Sequence, residues 1–112
     1  MKLSVCMATH NGEKYLHKQL ASILNQLGPE DEVVISDDSS TDTTVKIIRD
    51  IADPRIRLLE NNTFYSPVYN FENAIRHGSG DIIVLADQDD VWLDNKVEVI
   101  RQQLKDRLER PA

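Results

Sequence analysis

Ile82-Ile83-Val84-Leu85-Ala86-Asp87-Gln88-Asp89-Asp90 is an aliphatic run that stops abruptly at three carboxylates. Five consecutive apolar residues bounded by polar ones read as a strand buried on both faces, as in a parallel sheet. The carboxylates then crowd at the strand's end, where like charges a few ångströms apart disfavour ionisation. A divalent cation reverses that penalty, because hard cations such as Mg²⁺ take carboxylate oxygens. An acidic turn capping the next helix is the simpler alternative, since Asp is a favoured cap, although three carboxylates exceed what one cap requires. The stretch points to a metal-dependent nucleotide or phosphate site.

Working outward, the periodicity alternates between two kinds. Residues 3–8 read as a first strand that ends at the turn signals Thr9-His10-Asn11-Gly12. Leu16, Leu20, Ile23, Leu24 and Leu27 follow helical spacing, and Gly28-Pro29 is the stop. Residues 32–36 are a second strand ending in Asp37-Asp38, and Ser39-Ser40-Thr41 supply capping hydroxyls for a helix bearing Val45, Ile48 and Ala52. Residues 56–59 form a third strand, with Asn61-Asn62-Thr63 as loop. Phe71, Ala74 and Ile75 mark a short helix ending near Gly78, and Val97, Ile100, Leu104 and Leu108 mark a last one.

The resulting β-α-β-α-β-α-β-α order implies an α/β fold: a Rossmann-like, mainly parallel sheet with helices on both faces. Ligands of such sheets bind outside the carboxyl ends of the strands. Thr9-His10-Asn11, Asp37-Asp38 and the stretch 87–90 all fall there. No Gly-x-Gly-x-x-Gly follows the first strand and no Gly-x-x-x-x-Gly-Lys-Ser/Thr occurs, so no glycine-rich loop cradles phosphate. A metal at 87–90 would bridge phosphates instead and neutralise charge on a departing diphosphate. The Asp37-Asp38 pair is placed to accept hydrogen bonds from a base N–H or ribose hydroxyl, or to cap the following helix.

Composition bounds these readings. With 112 residues the chain suits one domain. Nineteen acidic against thirteen basic residues give a net charge of -6, which argues against nucleic acid as a partner. Cys6 is the single cysteine, read as a small core residue, so no internal disulfide forms and a reducing compartment is the simplest setting. No apolar run reaches membrane-spanning length and no signal-peptide core opens the chain, so a cytoplasmic location is expected.

These motifs, in this order and at strand ends, resemble the N-terminal half of inverting family 2 glycosyltransferases, which have the GT-A fold. The resemblance covers residues 3–96. It rests on Ser4-Val5-Cys6-Met7-Ala8-Thr9-His10-Asn11-Gly12, Val34-Ile35-Ser36-Asp37-Asp38-Ser39-Ser40 with Thr41-Asp42, Gly80-Asp81-Ile82-Ile83, and Asp87-Gln88-Asp89-Asp90-Val91-Trp92-Leu93. With Asn70-Phe71-Glu72 upstream, the last is most similar to bacterial polysaccharide enzymes that include rhamnosyltransferase-like members.

The resemblance implies transfer of a sugar from a UDP- or dTDP-linked donor to a glycan or lipid-linked acceptor, assisted by Mg²⁺ or Mn²⁺. It implies that Thr9 and Asn11 lie along the nucleotide and that Asp38 contacts the base. Within the family's DXD stretch, Asp89 would face the ribose or metal, and Asp90 and Asp87 the metal and diphosphate. Lys14 and Asn70-Phe71-Glu72 fall in regions that can border the donor, and His10 could stack on a base. The family's general base comes from the second half of its domain, so it is expected beyond residue 112, and residues 1–112 read as the donor-binding half alone. The parent enzyme would be cytoplasmic or peripheral to the inner face of the membrane.

Other readings stay open on the sequence. A non-catalytic nucleotide-sugar-binding module describes a fragment that is inactive alone. A receiver domain would need its phosphoacceptor Asp after the third strand, where Leu59-Glu60 stand instead. Trp92 reads as a packing anchor beneath the acidic loop. An uncovered apolar stripe on the last helix would favour a homodimer.

Overall fold

The computed structural model describes residues 1–87 and 91–109, with Glu109 described by its backbone alone. Eight elements alternate as expected: β1 (Leu3–Thr9), α1 (Leu16–Leu24), β2 (Glu32–Asp38), α2 (Thr44–Ile51), β3 (Ile56–Asn62), α3 (Pro67–His77), β4 (Ile82–Ala86) and α4 (Lys96–Glu109). The strands form one sheet in the order β3-β2-β1-β4, and every pair is parallel.

Alternation along β1 sorts the core into two layers. Leu3, Val5 and Met7 face Leu16, Leu20 and Ile23 of α1, Ile48 of α2 and Val97 of α4. Cys6 and Val34 face the other way, onto Ala74 of α3. Helices thus cover both faces. Leu16, Leu20 and Ile23 are wholly buried, each contributing about 1.5–3 kcal/mol of transfer free energy.

Three expectations need correction. Ile82 to Ala86 are not buried on both faces: β4 is an edge strand, and α3 packs over β1 and β2, leaving Ile83 and Leu85 exposed. Asn61 and Asn62 are not loop, because β3 continues its ladder to Asn62, opposite Asp38. The hydroxyls of Ser39, Ser40 and Thr41 do not cap α2. Asp42 accepts from Thr44 N–H at 2.9 Å, and Glu13 accepts from Thr43 N–H at 3.0 Å and its hydroxyl at 2.6 Å.

Gly80 is required by close approach. A Cβ there would lie 2.7 Å from Ser4 Oγ and 2.8 Å from the Lys2 carbonyl oxygen, where the chain enters β4 beside β1. Among the described residues, no helix is long and apolar enough to cross a membrane.

Candidate functional site

Because all four strands run parallel, their carboxyl ends share one edge of the sheet. The chain moves outward from β1 to β2 and β3, then returns to place β4 on the other side of β1, so the switch point lies between β1 and β4. Thr9 is registered opposite Asp37, and Met7 opposite Ala86, the residue before Asp87. Two strand spacings therefore separate Asp37 from Asp87, roughly 10 Å across the end of β1.

The two aspartates of β2 do different things. Asp37 accepts hydrogen bonds from the Thr9 hydroxyl at 2.7 Å and the Ser40 hydroxyl at 2.6 Å, tying the end of β1 to the turn after β2. The Thr9 carbonyl in turn accepts from Asn70 Nδ2 at 3.1 Å. Asp38 turns toward the segment ahead of α3: Ser66 N–H donates to Oδ2 at 3.1 Å and the Ser39 hydroxyl to Oδ1 at 3.1 Å. Burial opposes ionisation of Asp38. The N–H groups of Ser66 and Tyr65, the Ser39 hydroxyl and the Phe64 N–H outweigh it and hold the carboxyl below its ordinary range. His10 Nδ1 lies 2.6 Å from the Asp38 carbonyl oxygen, which can only accept, so Nδ1 carries the proton.

These groups border a cavity of about 470 Å³ lined by Ala8, Thr9, His10, Asp38, Tyr65, Ser66, Pro67, Asn70 and Phe71. Its walls are mostly apolar, with a few polar groups converging, which is the composition of a small-molecule site. Asn70 is 2% exposed, and its Oδ1 has no hydrogen-bond partner among the described residues. A larger groove, about 640 Å³, runs between β4 and α4, lined by Ile82 to Leu85, Ile100, Gln103, Leu104, Asp106 and Arg107. It lies along the open edge of the sheet and includes none of the strand-end residues.

The structure therefore brings together Thr9, His10, Asp38, Asn70 and Phe71. Asn11 does not line the cavity. With a left-handed backbone at φ 49°, it braces two loops, its Oδ1 accepting from Thr41 N–H at 2.8 Å and its N–H donating to Ser40 Oγ at 2.9 Å. Lys14 is exposed and Glu72 pairs with Arg76 at 2.9 Å, both outside the cavity. Cys6 is buried, and burial with the nearby Glu32 charge pushes its thiol up to about 11, as befits an unreactive core residue.

Asp89 and Asp90 lie outside the described residues. Asp87 is exposed, and its carboxylate has no ion-pair partner among the described residues. The described residues alone contain no group of three or more metal-ligating side chains. An exposed, unpaired carboxylate is a hard oxygen donor and fits Mg²⁺ or Mn²⁺ in kind. Trp92, just past the acidic stretch, is 4% exposed and packs into the main core, with Lys96 Nζ 4.9 Å over its ring.

Sequence reasoning missed Ser66, whose N–H holds Asp38 while its hydroxyl caps α3 by accepting from Tyr69 N–H at 3.3 Å. Ser66-Pro67 carried the signal, a capping serine before a proline at the first helical position. The polar residues of α1 were missed as well. Gln19 Nε2 donates to the Asp87 carbonyl oxygen, and Trp92 N–H donates to Ser22 Oγ at 2.9 Å.

Comparison with known proteins adds four findings. A family model, Glycosyl transferase family 2, matches residues 4–108. The chain is 31% identical over 107 residues to the UDP-Glc:alpha-D-GlcNAc-diphosphoundecaprenol beta-1,3-glucosyltransferase WfgD of Escherichia coli, covering 95% of this chain and 42% of that protein. It superposes on Staphylococcus aureus TarS 1-349 in complex with UDP with a TM-score of 0.85 at 27% identity, covering 95% of this chain and 32% of that one. It also superposes on the mannosyltransferase PcManGT of Pyrobaculum calidifontis, in complex with GDP-Man and Mn²⁺, with a TM-score of 0.77 at 28% identity, covering 85% of this chain and 30% of that one. The chain thus spans less than half the length of each of these proteins.

Proposed function

The chain belongs to glycosyl transferase family 2, and from that premise we propose that it is the donor-binding part of an enzyme that transfers sugar from a nucleotide-diphosphate sugar to an acceptor hydroxyl with inversion. The observation that carries the reading is the cavity between the ends of β1 and β2 and the start of α3, with an ionised Asp38 in its wall. A pyrimidine base enters it. Asp38 accepts the ring N–H, the only donor on a uracil or thymine edge, while Tyr65, Pro67 and Phe71 exclude water from the ring faces. Thr9 and His10 present the end of β1 to the ribose.

From there the diphosphate runs across β1 toward Asp87, where Asp87, Asp89 and Asp90 are the residues that would hold Mg²⁺ or Mn²⁺. Bound there, the cation supplies Lewis-acid stabilisation of the departing diphosphate. The Mn²⁺ complex of a structural neighbour supports that choice of ion. The general base and the acceptor contacts are assigned to sequence beyond residue 112. The acceptor is a glycan or a lipid-linked sugar, the latter supported by the diphosphoundecaprenol acceptor in the name of the Escherichia coli relative. A lipid-linked acceptor calls for a membrane surface, and the reading puts the parent enzyme in the cytoplasm or on the inner face of that membrane. One copy of the chain supplies every residue of the cavity, so the reading requires no dimer.

Calorimetric titration of UDP and of dTDP, with Mn²⁺ and again with chelator, tests the reading and identifies the base. The expected result is micromolar-range binding of one of them that chelator weakens. Failure of both to bind with Mn²⁺ present overturns the reading.

A further inference from the structure

Asp38 is the acceptor that the cavity offers, yet it is covered. The residue is 4% exposed. Ser66 N–H and the Ser39 hydroxyl each donate to its carboxylate at 3.1 Å, and the N–H groups of Tyr65 and Phe64 converge on it as well. A carboxylate has about four lone-pair sites, so these four donors fill it. A ligand N–H bonds Asp38 only by taking the place of one of them.

The donors differ in how firmly they are held. Ser39 follows Asp38 in sequence, and its N–H is fixed on the Asn62 carbonyl oxygen at 3.1 Å. Ser66 is the N-cap of α3, with Pro67 locked behind it at the first helical position. Upstream, Asn62 ends the β3 ladder opposite Asp38. Thr63, Phe64 and Tyr65 cross between those two fixed points, and all three are exposed. Tyr65 is left-handed at φ 51°, the one aromatic among the described non-glycine residues of positive φ. That conformation turns the successive N–H groups of residues 64–66 toward one anion. It also sets the Tyr65 Cβ against the backbone, a penalty that glycine would not incur. With the residue 79% exposed, burial of the ring returns little, so the bonds to Asp38 are what hold the strained turn.

We propose that residues 63–65 form a strap that covers Asp38 in this conformation and swings aside when a nucleobase binds, with Tyr65 as the positioning residue whose strained backbone sets the balance. The inference rests on the donor-site reading above. Strain raises the closed arrangement alone, so it brings the open one within reach. The ring N–H of the base then takes the place that a strap N–H gives up. The freed N–H turns to solvent, and the carboxylate keeps its full set of partners. Apparent affinity is the intrinsic affinity reduced by the open fraction, so whatever steadies the closed strap weakens binding.

Tyr65→Ala and Tyr65→Gly both lack the ring and differ in the backbone cost of a left-handed residue. Calorimetry with UDP and Mn²⁺ should find binding about two- to fivefold weaker in the glycine variant than in the alanine variant, although thermal unfolding finds the glycine variant the more stable. A merely structural role would move both readings the same way. Amide hydrogen exchange in the wild-type protein is the second readout and needs no variant. Exchange at Phe64 or Tyr65 should quicken on UDP saturation, the reverse of the protection that binding usually confers. Equal UDP affinities of the two variants overturn the strap alone. Exchange that slows at both amides does the same, because UDP has then bound without displacing them. A wild-type protein that does not bind UDP with Mn²⁺ present overturns the strap and the donor-site reading together.

Discussion

At Asp38, burial favours the neutral acid and hydrogen bonding favours the carboxylate, and hydrogen bonding prevails. The same carboxylate therefore has two tasks, holding the segment 64–66 that walls the cavity and presenting an acceptor within it. Asp38→Ala should weaken UDP binding by more than tenfold while inorganic diphosphate binds as before, both read by calorimetry. It should also lower stability by about 1 kcal/mol, because part-buried hydrogen bonds to the carboxylate are lost. Equal losses for the two ligands would place Asp38 at the phosphates instead. The position of Asp38 on the rim was legible because the end of a parallel strand is where ligands of such sheets bind. Roles were less so. The Thr9 hydroxyl is donated to Asp37, and Asn11 braces Thr41, since both bonds span about 30 residues and leave no local trace in the sequence. Ser66 was overlooked for the same reason: its cap is local, but its bond to Asp38 is not.

At the scale of elements, the switch between period 2 and period 3.6 sufficed to order all eight, because each amphipathic face reflects a layer of the core. The errors fall at ends and edges. β2 and β3 run further than their apolar residues because polar side chains do not interrupt a backbone ladder, and Asp38 still pairs with Asn62. The start of α2 is set by Glu13 and Asp42 rather than by the nearest hydroxyls, a contact between two rim loops. β4 reads like a central strand because strand order, which no single strand encodes, decides whether its second face is covered. α2 also carries a correctable strain. Its C-cap is Ala52, exposed and left-handed at φ 53°. Glycine removes the steric penalty of about 1–2 kcal/mol there and returns part of it as unfolded-chain entropy. Ala52→Gly should therefore stabilise the protein by about 0.5–1 kcal/mol, seen as a higher urea midpoint at unchanged slope. A lower midpoint would mean that the Ala52 methyl packs in a way its exposure does not suggest.

For the molecule as a whole, acid is the revealing stress, because 19 carboxylates give it a net charge of -6 and several are tied into the fold. Asp31 is the most central of these. It lies at the amino-end edge of the sheet, opposite the cavity, and joins three elements. Oδ1 accepts from Leu3 N–H of β1 at 2.9 Å, and Oδ2 accepts from Gly28 N–H after α1 at 2.8 Å and from Arg101 of α4 at 2.8 Å. Burial would raise its pKa, but the Leu3 and Gly28 N–H groups and the Arg101 guanidinium together lower it. A carboxyl whose folded pKa lies below its unfolded value stabilises fully above the unfolded value, about 3.9 for Asp, and loses that contribution as pH falls through the folded one. Asp31→Ala leaves two N–H donors and a guanidinium without their acceptor, and should cost about 2–3 kcal/mol at pH 7 by urea unfolding. That gap between wild type and variant should hold down to about pH 4 and narrow below it, as the wild-type carboxylate takes up its proton. Asp38→Ala removes another carboxylate of lowered pKa and should narrow over the same window. A gap for Asp31→Ala that stays constant through pH 3 would show that the carboxyl acts there by shape alone, with its charge and its bond to Arg101 contributing nothing to holding α4 against the sheet.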